Sequence, residues 1–188
     1  MQLISTNTII TMSDDKNELA LSVSKGHFKT VGEYRYNIND TVGKGSFATV
    51  YIGYELTNKA NKLAIKEIDH RKLEGKQREA LDKEIEIHKA IDNPAIIKLH
   101  AVRKTPNHYY LILEYCEGKD LYNYLKSKGK LDEMEVQFMI HSLIPAFQYL
   151  NEHKVMHRDI KLKNLLRTQD MEYSTIKLCD FGTARYVT

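Results

Sequence analysis

From Tyr34 onward the chain alternates β-branched or aromatic residues with polar ones, in "EYRYNINDTVGKGSFATVYIGYELTNKANKLAIKEID". A period of two, punctuated by glycines and by the polar "TNKAN", predicts three antiparallel strands joined by a glycine-rich turn and a polar turn. In "REALDKEIEIHKAID" the period changes: Leu81, Ile85, His88 and Ile91 recur at helical spacing, and Asn93-Pro94 ends the helix. "IIKLHAVRKTPNHYYLILEYC" returns to strands, two of them around a Pro-Asn turn. The longest helical pattern runs from Asp132 to His153, with an apolar stripe of Val136, Met139, Ile140, Leu143, Phe147 and Leu150. Asp132 and Glu135 have the spacing of a capping box. Pro145 deletes one internal hydrogen bond of this helix, so a kink is expected there. "VMHRDIKLKNLL" and "STIKLCDFG" read as short β pieces joined by loops. Residues 1–33 lack sustained periodicity and are expected to be a loosely ordered leader.

This order of elements predicts an α+β protein of two lobes. The first, over residues 34–116, is β-rich with one key helix and ends in a hinge near Tyr115 to Gly118; the second, over residues 117–188, is helical. A chain of 188 residues is long enough to bury a substantial core in such a layout. Its 28 Lys and Arg against 25 Asp and Glu give a net charge of +3, too mild and dispersed to argue for nucleic acid or an anionic membrane. The apolar run around "YYLILEYC" is far below membrane-spanning length. Cys116 and Cys179 fit no metal-ligand pair and no secretory signal precedes them, so reduced thiols in a cytoplasmic or nuclear protein are expected.

Four stretches carry chemistry. In "VGKGSFATV", Gly43 and Gly45 let a backbone turn approach phosphates closely. Strand-like "TVYIGYEL" follows, which disfavours a Rossmann turn, and the P-loop spacing is missing. "LAIK" places Lys66 at the end of an apolar strand, and Glu84 lies on the stripe of the next helix, where its carboxylate can aim the lysine at phosphates. In "HRDIKLKN", Asp159 can accept a hydrogen bond from a substrate hydroxyl, Lys161 can reach a transferred phosphoryl group, and Asn164 can offer an oxygen to a metal ion. Asp180 adds anionic oxygens of the kind magnesium prefers. Each residue alone has a plain structural reading, a surface charge or a loop cap; their order along one chain is what gives the set meaning.

Gly43-x-Gly45, the Lys66 strand, the Glu84 helix, His157-Arg158-Asp159 with Asn164, and Asp180-Phe181-Gly182 together resemble the eukaryotic protein-kinase signature, from about Tyr34 to the last residue. Lys161 is similar to the serine/threonine branch. The resemblance implies a kinase-like two-lobe fold, ATP and Mg2+ as nucleotide and cofactor, and a protein substrate offering a Ser or Thr hydroxyl. It implies an adenine pocket of Val42, Val50, Ala64 and Leu166, with Leu113 as gatekeeper, Glu114 and Cys116 offering hinge backbone groups, and Asp120 at the ribose. "GKGSFA" with Ala48, "EIEIH" and Leu162 look more like polo-like kinases; "GKGSFATVY" and "YCEGKDL" also resemble the autophagy-initiating kinases.

Two departures stand out. His88 replaces an aliphatic residue that the family packs against Phe181, which would tie that packing to protonation if its pKa lay near neutrality. Only six residues follow Asp180-Phe181-Gly182, so a truncated catalytic domain is expected, with Val136, Leu143, Phe147 and Leu150 left uncovered and open to a partner. The alternative is a non-catalytic, nucleotide-binding or decoy module. The resemblance implies that Arg158 would pair with an activating phosphate; Thr183, Tyr186 and Thr188 are hydroxyls in the segment present, while the usual acceptor of the family lies further on.

Overall fold

A computed structural model describes residues 22–23, as backbone, and residues 27–187. The β-rich lobe consists of β1 (Ser22–Val23), β2 (Phe28–Val31), β3 (Tyr34–Lys44), β4 (Ala48–Glu55), β5 (Asn58–Asp69), α1 (Gly75–Ala90), β6 (Leu99–Lys104) and β7 (His108–Glu114). Its strands form one antiparallel sheet in the order β1-β2-β3-β4-β5-β7-β6. The sheet therefore begins before Tyr34: Phe28–Val31 is a strand inside the stretch expected to be a loose leader. Cross-strand pairing from Phe28↔Asn37 to Val31↔Tyr34, and Val31 buried to 0% exposure, hold it there. The remaining leader residues, 1–21 and 24–26, lie outside the described residues, as does Thr188.

The sheet curls until its far edges meet. Arg103 on β6 forms an ion pair with Glu33 in the β2–β3 turn, and its guanidinium lies 5.6 Å from the centroid of the Tyr34 ring. One face of the curl is filled by Val31, Tyr34, Tyr36, Leu63, Ile65, Tyr110 and Ile112. The other face packs Ile68 and Leu111 against Leu73, Leu81 and Ile85, the last two from α1. Gly53 sits where the sheet is tightest: a Cβ there would lie 2.4 Å from Ile65 Cδ1 and 2.8 Å from the Arg35 carbonyl oxygen.

The second lobe contains α2 (Leu121–Lys128), α3 (Glu133–Glu152), β8 (Val155–Met156), β9 (Leu165–Arg167), β10 (Ile176–Leu178) and β11 (Arg185–Tyr186). The strands pair antiparallel, β9 with β10 and β8 with β11. Helix α3 continues on both sides of Pro145. Its N-cap is half of the expected box. Asp132 accepts from the Glu135 backbone N–H at 2.8 Å, but the Glu135 side chain turns inward, accepting from Tyr124 Oη at 2.5 Å and Lys128 Nζ at 2.6 Å.

The buried stripe of α3 is Glu135, Met139, Leu143, Ala146 and Leu150. This corrects the expected uncovered set: Leu143 and Leu150 are core residues, packed with Ile96, Ile176, Leu178 and Phe181, whereas Val136 and Phe147 are exposed. Among the described residues no helix is long and apolar enough to cross a membrane.

Candidate active site

Strand β5 sets the first group. Its period of two puts Ala64, Lys66 and Ile68 on one face and Leu63, Ile65 and Glu67 on the other. Helix α1 packs on the first face and brings Glu84 there. Lys66 Nζ lies 2.6 Å from Glu84 Oε1 and 3.4 Å from Asp180 Oδ1. The Lys66 side chain is only 19% exposed. Burial alone would lower its pKa, but the two carboxylates outweigh it and hold the ammonium above its ordinary value. A charge-assisted hydrogen bond of this kind contributes about 1.5–3 kcal/mol.

The second group comes from the segment between β8 and β9. The Asn164 amide nitrogen donates to the Asp159 carbonyl oxygen at 2.8 Å and to Asp159 Oδ2 at 2.9 Å, which turns the Asn164 side-chain oxygen away from Asp159. Lys161 Nζ lies 2.6 Å from Asp159 Oδ2, and this bond is the main reason the Asp159 carboxyl is held below its ordinary pKa. Cys179 N–H donates to the Asn164 carbonyl at 3.0 Å, so the β9–β10 hairpin delivers Asp180 beside Asn164. Asn164 and Asp180 could each offer a hard oxygen of the kind that suits magnesium.

Both ends of this arrangement are held in unusual backbone conformations. Arg158 and Asp180 have φ of 67° and 66°, the left-handed region that costs a side-chain-bearing residue on the order of 1–3 kcal/mol. Arg158 is fixed by donating its Nε–H to the Thr183 carbonyl at 2.7 Å, and Thr183 Oγ1 donates to the His157 carbonyl at 2.8 Å. Phe181, fully buried, packs against two imidazoles, 5.0 Å from His88 and 4.9 Å from His157 by ring centroids.

The glycine turn and the strand leading to the expected hinge adjoin the lysine on the same sheet. Gly43 pairs with Val50, Val50 with Lys66, and Ala64 with Leu113, so these positions share the sheet face that carries the lysine. Val42 is 48% exposed next to them. A Cβ at Gly43 or Gly45 would meet nothing closer than 3.7 Å. The fold itself thus leaves room for a side chain at both positions.

Leu166 on β9 forms an antiparallel bridge with Asp120, which places it opposite the hinge. The Asp120 carboxylate caps α2, accepting from Asn123 N–H at 2.8 Å and Asn123 Nδ2 at 2.6 Å. Lys177 Nζ donates to Glu114 Oε1 at 2.5 Å, joining β10 to the end of β7. Burial pushes both thiols, Cys116 and Cys179, up to about 12.

Three supports escape sequence reasoning. Arg167, almost fully buried, donates to the Gly118 carbonyl at 3.3 Å and lies 3.5 Å from the centroid of the Tyr124 ring, tying the hinge to β9. Lys177 and Thr183 act on partners distant in sequence. An arginine inside the apolar run "NLLR" is the one visible signal among them.

The chain belongs to the protein kinase domain family, whose model matches residues 36–188. It is 38% identical over 166 residues to the serine/threonine-protein kinase DCLK3 of Mus musculus, covering 87% of this chain and 20% of that protein. Over 178 residues it is 33% identical to the serine/threonine-protein kinase SIK2 of Gallus gallus, covering 95% of this chain and 22% of the relative. Over 160 residues it is 36% identical to the serine/threonine-protein kinase ATG1a of Arabidopsis thaliana, with 85% and 25% covered. The chain thus spans about a fifth to a quarter of the length of these curated relatives. None of the three is named as polo-like, and the polo-like leaning finds no support in them.

Proposed function

We propose that this domain binds ATP with Mg2+ and transfers the γ-phosphoryl group to a serine or threonine hydroxyl of a protein. The observation that carries this reading is Lys66 Nζ held between Glu84 and Asp180, at 2.6 and 3.4 Å, on the sheet face roofed by Gly43, Val50 and Ala64. A desolvated ammonium fixed by one carboxylate and bordered by a second suits a triphosphate and its counter-ion better than it suits a structural ion pair.

In this reading Lys66 draws the α- and β-phosphates and Glu84 keeps it aimed. Asn164 and Asp180 would hold the metal, which when bound neutralises phosphate charge. Asp159 accepts the hydrogen bond of the incoming hydroxyl and orients its oxygen. Lys161, bonded to Asp159 in this structure, is within reach to counter charge on the transferred group once a substrate hydroxyl takes its place. The two glycines, which the fold does not require, admit phosphate oxygens to the backbone N–H groups of the turn. Val42, Leu113, Leu166 and the backbone of Glu114 and Cys116 would enclose the base, with Asp120 near the ribose. Serine/threonine preference rests on Lys161 and on the names of the relatives.

The test is a thermal-shift titration followed by transfer of labelled γ-phosphate to a degenerate Ser/Thr peptide pool. At a hundred times Kd, Mg-ATP should stabilise the wild type by about 2.7 kcal/mol. Asp180→Ala should abolish the magnesium-dependent part. Equal shifts for both proteins would refute the site; a shift without transfer would leave nucleotide binding and remove the catalytic claim.

A further inference from the structure

The sheet face opposite Lys66 carries a buried carboxylate that the reading above does not use. Glu67, the next residue on β5, is 7% exposed and sits at the end of the core formed by Tyr36, Ile65 and Tyr110. Lys29 Nζ lies 3.0 and 3.4 Å from its two oxygens, Tyr36 Oη donates at 3.0 Å, Tyr110 Oη at 3.5 Å, and His108 Nε2 is 3.7 Å away. Lys29 is the one permanent cation of this set, and it comes from β2, ahead of the family match that begins at residue 36. Lys29 reaches Glu67 across the curl of the sheet, because β2 is three strands from β5 in the sheet order. The turn after β2 is fastened to the far edge by Glu33 and Arg103, and Phe28 lies under the Arg35 guanidinium at 5.1 Å. Strand β2 therefore acts as a strap that closes the lobe over β5.

We infer that Lys29 is a positioning residue for Lys66: by neutralising Glu67 on the face of β5 that lines the curl, the strap fixes the strand whose opposite face presents the phosphate-binding lysine. The inference rests on the proposed role of Lys66. A buried carboxylate without its cation must be hydrated or protonated. Either change moves β5 at the residue adjoining Lys66 and loosens the 2.6 Å contact with Glu84.

The experiment compares the full chain as wild type, Lys29→Met, Glu67→Gln and the double variant. One readout is the rate of Lys66 acetylation by an N-hydroxysuccinimide ester without nucleotide, followed by peptide mass spectrometry; the other is Mg-ATP affinity. Lys29→Met should raise the Lys66 acetylation rate and weaken Mg-ATP binding, each by about tenfold, as expected for a small misplacement of a binding group. Glu67→Gln should change both far less, because an amide needs no counter-charge and Lys29 can turn to solvent. The double variant should match Glu67→Gln, since the charge to be offset is gone.

Unchanged Lys66 acetylation in Lys29→Met overturns the inference, as does a double variant as impaired as Lys29→Met. Should Lys29→Met fail to fold, a folded double variant with the Glu67→Gln rates supports it, and an unfolded one refutes it. If no protein binds Mg-ATP, the proposed function falls, while acetylation of the nucleotide-free chains still decides the role of Lys29.

Discussion

His88 lies against Phe181 with ring centroids 5.0 Å apart and 34° between the planes, and its Nε2 is 2.8 Å from the Ile97 carbonyl oxygen. A carbonyl only accepts, so Nε2 carries the proton. Also in contact with Phe181, edge-on at 4.9 Å, His157 donates its Nε2–H to the Cys179 carbonyl at 3.0 Å while its Nδ1 accepts from Asp159 N–H at 3.3 Å. That pattern requires a neutral ring. The phenyl group that follows Asp180 is thus packed against one ring whose hydrogen bonds require neutrality, His157, and one whose burial disfavours its charged form, His88. Burial, the largest cause in each case, pushes both below the ordinary histidine pKa. The packing against Phe181 is therefore not poised to switch at neutrality; its titration lies on the acid side.

A pH dependence of stability follows. Both histidines take protons less readily folded than unfolded, where the pKa is about 6.5, so the unfolded chain binds more protons below that value. His100 and His108 shift in the same direction, again chiefly by burial. Stability should be level from about pH 7 to 8 and fall as the pH drops through about 6.5, by up to about 1.4 kcal/mol per pH unit for each of the buried pair, His88 and His157, with the more exposed His100 and His108 adding less. Urea unfolding between pH 5.5 and 8 measures this. His88→Leu should make the decline shallower; an unaltered slope would mean the ring is not kept neutral.

Gly118 offers a test of how the hinge is held. A Cβ there would lie 2.2 Å from the Gln169 carbonyl oxygen, 2.5 Å from Arg167 Cβ and 2.8 Å from the Arg167 carbonyl oxygen, and two of these are backbone atoms that cannot rotate aside. Gly118 N–H also donates to the Arg167 carbonyl at 3.1 Å. Gly118→Ala should destabilise the chain by about 1–3 kcal/mol, the usual cost of overpacking. Because the strain falls between hinge and β9, Mg-ATP affinity should drop as well. Calorimetric unfolding with and without nucleotide checks both effects; an unchanged Tm would mean that the hinge is looser than the structure shows.

The elements differ in how plainly the amino-acid sequence encodes them. Lys66 and Glu84 were legible because a strand alternates and a helix repeats every 3.6 residues, which fixes which face each presents. Asp159, Asn164 and Asp180 were legible as residue types at set spacings. Helix α2 has only eight residues and a single buried one, Leu121, so its periodicity is faint. The stripe of α3 was misjudged because two of its buried positions are Glu135 and Ala146, which a search for large apolar residues passes over. Strand β2 was hidden for the same reason: Lys29 and Thr30 look like solvent-facing residues until the curl of the sheet brings Glu67 to them.

Glu135 deserves its own measurement as a buried carboxylate far from the proposed chemistry. It is fully buried, yet its pKa is lowered: burial works to raise it, and the bonds from Lys128 and Tyr124 together outweigh that. Lys128 also reaches Glu172 at 3.0 Å, so one ammonium serves two carboxylates and links α2, α3 and the β9–β10 hairpin. Glu135→Ala should lose about 2 kcal/mol or more, since it leaves the Tyr124 hydroxyl without its acceptor and opens a void. Glu135→Gln should lose less. Denaturant midpoints for the two variants test this ordering; equal losses would mean that shape, not the hydrogen bonds, sets the effect.

The two free thiols report on how well their surroundings exclude solvent. Cys116 and Cys179 are both pushed by burial up to about 12, and neither has a nearby cation that overcomes it. At pH 8 a thiol of that pKa is ionised to about one part in ten thousand, against about a quarter for an exposed cysteine, and only the thiolate attacks disulfide reagents. Reaction with dithiobis(nitrobenzoic acid) should therefore be slower in the folded chain than in urea by about a thousandfold, for both residues. Cys116 lies in the proposed hinge and Cys179 directly precedes Asp180, so opening of the two lobes should expose both together. Mass spectrometry of partly labelled protein distinguishes the cases. Matched labelling of the two sites means they become accessible in one opening of the cleft, whereas early labelling of Cys116 alone would show the hinge moving independently of the Asp180 segment.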